Sequence, residues 1–405
     1  MKVTISPGKA EGIMAAPPSK SMAHRLLICA GLAKGSSTIY NVDPSEDILA
    51  TIDCLNALGA KAEYKDGMVT VKGTNARESE GGVDLPCREC GSTLRFFIPI
   101  CLLSRGVKRL TGSEKLLSRP LNVYKDICAG QGLNYVKNEQ GVFAGGILAA
   151  GTYEVPGNIS SQFISGLLFA LPLLENDSEI KILPPFESRP YIDMTINALK
   201  TYGVEVSWKD ELTIAVPGNQ SYKAKDATVE GDFSNAAFLE SFNLAGGKVT
   251  LTGLDESSAQ GDKVYRELFE TLKEGYANID ITDCPDLAPV LMAGAAVNFG
   301  AHFTGTARLR LKESDRGLAM REELAKLGIR AAVMENEIVV EPGHLLKGQT
   351  LSGHNDHRIV MALAFLLSIA GGSITEAESV KKSLPDFFTR IQKLGIGVTS
   401  DELDK

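Results

Sequence analysis

The sequence predicts an α/β fold (α+β in the order of its elements) built from six βαβαββ units, grouped three and three into two domains. Three observations carry this expectation. A helical pattern closed by glycine recurs, with the glycines at Gly59, Gly132, Gly203, Gly275, Gly328 and Gly395. Small, apolar helices form a second series, starting at Ser21, Ser92, Ser161, Ser234, Asp286 and Asp356. Both series shorten at the same step: the glycine intervals are 73, 71, 72, 53 and 67, and the helix-start intervals 71, 69, 73, 52 and 70. Two independent markers that contract together define a repeat, and a repeat decides architecture before any other feature does.

Each element of the unit has its own reason. After every apolar helix comes a strand-like segment: SSTIYNV, VKRLTG, SEIKILP, KVTLTG, AHFTGT and GSITEA. The amphipathic helix follows, and its closing glycine suits the left-handed position after a helix. Two short strands around a polar turn come next, as in AKAEYKDGMVTVKG after Gly59, and the same reading extends to TLKEGYANIDI and to IQKLGIGVTSDELDK. Helices apolar nearly all round, such as FISGLLFALPLL, must be buried, whereas RGLAMREELAKLG keeps one face for solvent. A unit of about 70 residues cannot bury both faces of its sheet alone, so three units around their buried helices make one domain. The division falls near Thr228, with no Pro- or Ser-rich linker, which predicts a short crossover.

Composition narrows the class. With 44% apolar and 23% charged residues in a chain of 405, disorder and collagen-like repetition are excluded. The longest apolar runs, Phe163–Leu174 and Ile359–Gly372, fall short of the ~18–20 residues that span a bilayer. The opening MKVTISPGKAEG has no apolar stretch of the secretory kind. A net charge of −8 argues against nucleic acid and against anionic membranes as partners, yet leaves room for small anions where basic residues cluster. Seven cysteines, with one CxxC at Cys87–Cys90 and no second, read as free buried thiols in a reducing cytoplasm rather than as a zinc or redox site.

The polar chemistry gathers at helix starts, where free N–H groups and partial positive charge suit phosphate. PPSKSMAHR places Lys20, Ser21 and Arg25 there, ECGSTLR places Gly91, and LLSRP places Arg119. ISSQF contributes Ser160, Ser161 and Gln162, and SRPY contributes Ser188 and Tyr191. In the second half come Asp286 (CPDLAP), Lys312, Glu313 and Arg316 (LKESDR), His357 and Arg358 (HNDHR), and Lys382 (KKSLPDFF). Ser and Asp at such positions are ordinary N-caps, the role expected of Ser234, Asp315 and Asp356. Cations are different. Lys20, Arg25, Lys312, Arg316 and Arg358 would oppose the helix dipole in a first turn, a conflict that an anionic ligand removes. Among these cations Asp286 and Glu313 either stay ionised in pairs with Lys312 or Arg316, or carry protons. His24 and His354 have no recognisable partners and read as surface or core residues.

PPSKSMAHR, GSTLR, SRP, SSQFISGLL, SRPYIDMT, RLKESDR, NDHRIVMALA and SLPDFF, in this order and spacing, resemble the enolpyruvyl transferase family over essentially the full chain. Within that family the resemblance is to the branch that acts on shikimate 3-phosphate. It implies an inside-out α/β barrel of two domains: residues 1–17 with 229–405, and residues 18–228, with the active site in the cleft between them. It implies transfer of the enolpyruvyl group of phosphoenolpyruvate to the 5-hydroxyl of shikimate 3-phosphate, in the shikimate pathway of aromatic amino-acid biosynthesis, by a cytoplasmic monomer with no metal or organic cofactor. Matched position by position, the resemblance assigns Lys20, Ser21, Arg25, Ser160, Ser161, Gln162, Ser188, Asp286 and Lys312 to shikimate 3-phosphate. It assigns Lys20, Gly91, Arg119, Gln162, Arg316, Arg358 and Lys382 to phosphoenolpyruvate, and makes Asp286, Glu313 and Lys20 catalytic; Tyr191 and His357 fall close by. Three positions depart from the family pattern: PPSKS for PGSKS, Glu89 before the Gly91-Ser92 turn, and Arg308 where Asn is common. The sister branch acting on UDP-N-acetylglucosamine carries a mobile loop, usually with a cysteine, before the Arg119-like arginine. SRGVKRLTGSEKLLSRP has no cysteine and little room for such a loop.

Overall fold

The structure, a computed structural model, describes residues 1–400. Its chain forms two compact units, one continuous from Lys20 to Glu230, the other made of Met1–Ser19 and the chain from Gly231 onward. Among the described residues there are five four-stranded sheets and one of two strands.

In the continuous unit each repeat makes one sheet. Thr152–Pro156 lies parallel to Ser178–Leu183, which pairs antiparallel with Thr213–Val216, and Ser207–Trp208 completes the hairpin. The sheet of Asp84–Pro86, Leu103–Thr111, Gly141–Ile147 and Asn134–Asn138 has the same order. The first repeat begins at a helix and lacks an opening strand of its own. Ala227–Thr228, from the far end of the unit, fills that place beside Ile39–Tyr40. Three helices run through the core: Lys20–Leu32, Gly91–Cys101 and Ser161–Ala170. The last is buried along nearly its whole length, as an apolar helix must be.

The discontinuous unit departs from the repeat in two places. After Gly275 the chain runs into a single strand, Ala277–Asp280, which opens the next sheet beside Ala301–Thr304 instead of forming a hairpin. The fourth repeat therefore lacks the expected pair of strands, which accounts for the 53-residue interval. Its glycine reflects this: Gly59, Gly132, Gly203, Gly328 and Gly395 all have positive φ between 65° and 99°, whereas Gly275 is extended at 166°. In the last repeat only Val398–Ser400 of the expected hairpin is a strand, and the segment Asp401–Lys405 read as its continuation lies outside the described residues. The central place is taken by Lys2–Ile5, antiparallel to both Gly372–Thr375 and Val398–Ser400. Its alternation fits a half-buried strand, with Val3 and Ile5 inward and Lys2 and Thr4 outward. Glu11–Ala15 pairs parallel with Lys248–Thr252 as the two-stranded sheet. Here the core helices are Phe233–Glu240, Ala288–Val297 and His357–Ala370, packed with the inner faces of the sheets.

Candidate active site

The polar residues form a cluster in each unit. In the continuous unit Lys20 is the first residue of its helix, and its ammonium lies 2.8 Å from Asp47. Arg25 sits in the second turn, not the first, so the expected conflict with the helix dipole does not arise. Its guanidinium is buried and donates to Ser21 O (2.6 Å), Tyr191 O (2.9 Å) and Thr195 Oγ1 (2.8 Å), joining the first helix to Arg189–Thr201. Burial pushes Arg25 down to about 10, still protonated at neutral pH. Ser188 stands at the start of Arg189–Thr201 with left-handed backbone (φ 59°) and is buried.

Ser160 caps the helix Ser161–Ala170 through the Gln162 N–H. Gln162 then ties two helix starts together: its Nε2 donates to Ser92 Oγ at 2.8 Å and its Oε1 accepts from Arg95 Nη1 at 2.8 Å. Gly91 is where the Arg119 guanidinium lies against the backbone; a Cβ there would stand 2.4 Å from Arg119 Nη1. A side chain there would have to displace the Arg119 guanidinium. His24, expected to lack partners, is a core residue with them. Its Nδ1 is 2.7 Å from Thr51 Oγ1 and its Nε2 faces Cys90 Sγ at 3.8 Å. Burial, reinforced by Lys20 and Arg25, holds this imidazole well below its usual range and therefore neutral.

The second cluster centres on Asp286, in the turn Pro285–Leu287 ahead of the buried helix Ala288–Val297. Asp286 Oδ1 accepts from Lys312 Nζ (3.1 Å) and Arg316 Nη1 (2.8 Å), and Oδ2 is 3.7 Å from Arg358 Nη2. Burial alone would raise this carboxyl; Lys312, Arg316 and Arg358 outweigh burial and hold it well below the ordinary range. Arg316 opens the helix Arg316–Lys326, fully buried, and also reaches Glu313 Oε2 (2.8 Å) and Asp356 Oδ2 (2.9 Å). Three carboxylates, not only a ligand, answer its position in a first turn. Lys312 precedes that helix, following the 3₁₀ segment Ala307–Leu311, so the dipole argument does not apply to it. Burial lowers Lys312, against the pull of Asp286. Arg358 is the second residue of His357–Ala370, beside buried His357, and Lys382 donates to Asn355 O at 2.7 Å. Arg308 is buried and donates to Thr282 O.

Three minor expectations need correction. Ser234 is not a cap; Asp232 caps that helix through the Ser234 N–H. Asp315 does cap its helix, but Asp356 is more than a cap. Besides the Arg358 N–H it accepts from Ser314 and Arg316, and it is wholly buried. His354 is paired with Glu323 at 2.7 Å. Sequence reasoning also missed Asp47, Arg95 and Thr195, together with Asn235, whose Oδ1 accepts from Arg358 Nη1 at 3.3 Å, and Asp262, buried near Asp286 and Arg358. Arg95 lay in the motif already singled out, GSTLR, whereas Asp47 in DPSED reads as an ordinary acidic first turn.

Cations cluster in both units, held in one by Asp47 and by carbonyl and hydroxyl oxygens and in the other by carboxylates, an arrangement suited to small polyanions. The EPSP synthase (3-phosphoshikimate 1-carboxyvinyltransferase) family model matches residues 5–391. Curated relatives named 3-phosphoshikimate 1-carboxyvinyltransferase include those of Clostridium kluyveri, 41% identical over 97% of both chains, and Clostridium perfringens, 39% identical over 99% of this chain and all of that one. An EPSP synthase structure from Acinetobacter baumannii superposes with a TM-score of 0.78 over 98% of this chain and all of that one, at 23% identity, a likeness of fold. The chain belongs to the EPSP synthase family.

Proposed function

We propose that the two clusters together perform the reaction of this family. The chain transfers the enolpyruvyl group of phosphoenolpyruvate to the 5-hydroxyl of shikimate 3-phosphate and releases phosphate. Both substrates are multiply anionic, and charge-assisted contacts from Lys and Arg hold such ligands best. Ser160, Ser161 and Ser188, with Ser21 and Arg25, take the shikimate 3-phosphate; Gln162 and Lys20 serve both ligands. Arg119, Arg316, Arg358 and Lys382 take phosphoenolpyruvate, whose approach to the backbone Gly91 permits.

In the addition step Glu313, free to take up a proton once phosphoenolpyruvate draws Arg316 from it, delivers that proton to the methylene carbon while the 5-oxygen bonds to the adjacent carbon and gives its proton to Asp286. In the elimination the new methyl group returns a proton to Glu313, the C–O bond to phosphate breaks as the departing phosphate takes the proton held by Asp286, and the double bond returns. Atoms balance without any further reactant.

One observation carries the reading: Asp286 lies against three cations, Lys312, Arg316 and Arg358, which keep it ionised but weakly basic. Substrate anions would compete for those cations. As they are drawn away, Asp286 regains basicity, so the base is activated only when the substrates are in place. Asp286→Asn tests this, with phosphate release and calorimetric binding measured on the same protein. Turnover should fall at least ~100-fold, the low end for loss of a general base, while shikimate 3-phosphate still binds. Near-normal turnover removes Asp286 from the role. UDP-N-acetylglucosamine as acceptor should give no phosphate release.

We further propose a cytoplasmic monomer. Seven free, buried cysteines support a reducing compartment, and no helix among the described residues is long and apolar enough to cross a membrane.

A further inference from the structure

Glu323 lies outside both clusters yet is completely buried. It accepts four hydrogen bonds: Oε1 from Lys326 Nζ (2.8 Å) and His354 Nε2 (2.7 Å), Oε2 from Lys326 Nζ (2.9 Å) and the Ser352 N–H (2.9 Å). Two of these partners, Ser352 and His354, belong to the turn that leads into His357–Ala370.

That turn is conformationally expensive. His354 and Asn355 are consecutive non-glycine residues in the left-handed region, with φ of 50° and 49°. Such a pair persists only where the surroundings over-determine it. The surroundings here are the Glu323 contacts, the Ser352 hydroxyl, which accepts from the His354 N–H and donates to Glu376, and the Gly353 N–H bond to Thr375 O. What the turn delivers is chemistry: Asn355 O receives Lys382, Asp356 receives Arg316, and Arg358 follows.

The helix Arg316–Lys326 thus grips the turn at two points. Arg316 holds Asp356, and Glu323, seven residues later and therefore on the same face, holds Ser352 and His354. We propose that Glu323 is a positioning residue for the transferase reaction, acting through His354 to set the turn that presents Asp356, Arg358 and Lys382. It touches neither substrate. The inference rests on the placement of Arg316, Arg358 and Lys382 at phosphoenolpyruvate proposed above.

His354 faces Glu323, Glu322 (4.0 Å) and Lys326 on the helix, and the turn meets Glu376 across Ser352. The Glu323 hydrogen bond raises its pKa above the ordinary 6.5, so the ion-paired form of the clamp weakens as the solution becomes alkaline.

The test is steady-state kinetics of the full chain, wild type against Glu323→Gln and His354→Gln, with both substrates varied across pH. His354 is partly exposed, so its variant keeps the proposal testable should the buried Glu323→Gln fail to fold. A clamp acting on phosphoenolpyruvate-binding groups should raise the KM for phosphoenolpyruvate roughly 10-fold, while the KM for shikimate 3-phosphate stays within about twofold. In the wild type the KM for phosphoenolpyruvate should also rise on the alkaline side, and His354→Gln should flatten that rise. Glu322→Gln, which alters an exposed neighbour that helps raise His354, should keep the wild-type KM values near neutral pH and move the alkaline rise only to lower pH. Loss of folded protein alone would lower kcat and leave both KM values unchanged. That result overturns the proposal, as do equal rises in both KM values or wild-type kinetics in both variants. Arg358→Lys separates the two claims: an unchanged KM for phosphoenolpyruvate there defeats the site placement, whereas an impaired Arg358→Lys beside normal clamp variants defeats the clamp alone.

Discussion

Asp262 shows how a single carboxyl can work against the usual pH trend. It is buried, and burial first, then the nearby Asp286 charge, pushes it up to about 7. A carboxyl raised in the folded state stabilises fully only below its unfolded value, near 3.8, and that contribution is lost as pH rises through the folded value. Between those limits the native state binds the extra proton, so stability falls with pH. Asp262→Asn should therefore gain melting temperature relative to the wild type, and gain more at about pH 8 than at about pH 5. A difference independent of pH would mean that Asp262 titrates normally. Nothing in QGD announces this. A lone Asp near a predicted helix reads as a cap, and only the fold puts it in the same buried neighbourhood as Asp286 and Arg358.

At the level of elements, the start of Gly91–Cys101 is set by its neighbour as much as by itself. A methyl group at Gly91 would meet the Arg119 guanidinium, the mobile end of a long side chain, rather than fixed backbone. Gly91→Ala should therefore fold normally and raise the KM for phosphoenolpyruvate by roughly 5-fold, the low end of overpacking, through displacement of Arg119. An unchanged KM would show that Arg119 relaxes at no cost to binding. Elements of this kind were well marked in the sequence, because apolar helices and left-handed glycines leave periodic traces. The short fourth repeat was visible as an interval, but not its cause. ANIDI has the strand pattern either way, and whether it turns back or opens a new sheet depends on its partner Ala301–Thr304. The cations of the site were legible by their odd positions. Of their carboxylate partners, Asp286 and Glu313 were legible beside Lys312 and Arg316, but Asp47 and Asp356 were not, since one looks like an ordinary acidic first turn and the other like a cap until the partner helix is in place.

Across the whole molecule, burial governs the thiols. Each of the seven cysteines is free and buried, and burial raises Cys90 and Cys101 to about 12 and Cys128 to about 11. The thiolate is the reactive form, so the native protein should react with Ellman's reagent far more slowly than the denatured one, in which all seven titrate. Rapid native labelling of even one thiol would reveal an opening that the static packing does not contain. Charge is distributed the other way. The net charge of −8 opposes anionic substrates at long range while the clustered cations attract them at short range.

The strand Lys2–Ile5, seated between Gly372–Thr375 and Val398–Ser400, imposes an order on synthesis. Lys2–Ile5 leaves the ribosome long before the two strands it pairs with. At about 5–20 residues per second its partners emerge roughly 20–80 s later. The segment Lys20–Glu230 meanwhile has all the strands of its three sheets and should be able to fold before the rest of the chain is made. Nascent chains halted once Glu230 has cleared the ribosome should already hold that unit protease-resistant, with the leading strand still open to cleavage. Because Lys2–Ile5 and Val398–Ser400 are neighbours in one sheet, linking these two strands directly and opening the chain at a surface turn elsewhere would free the early strand from its wait.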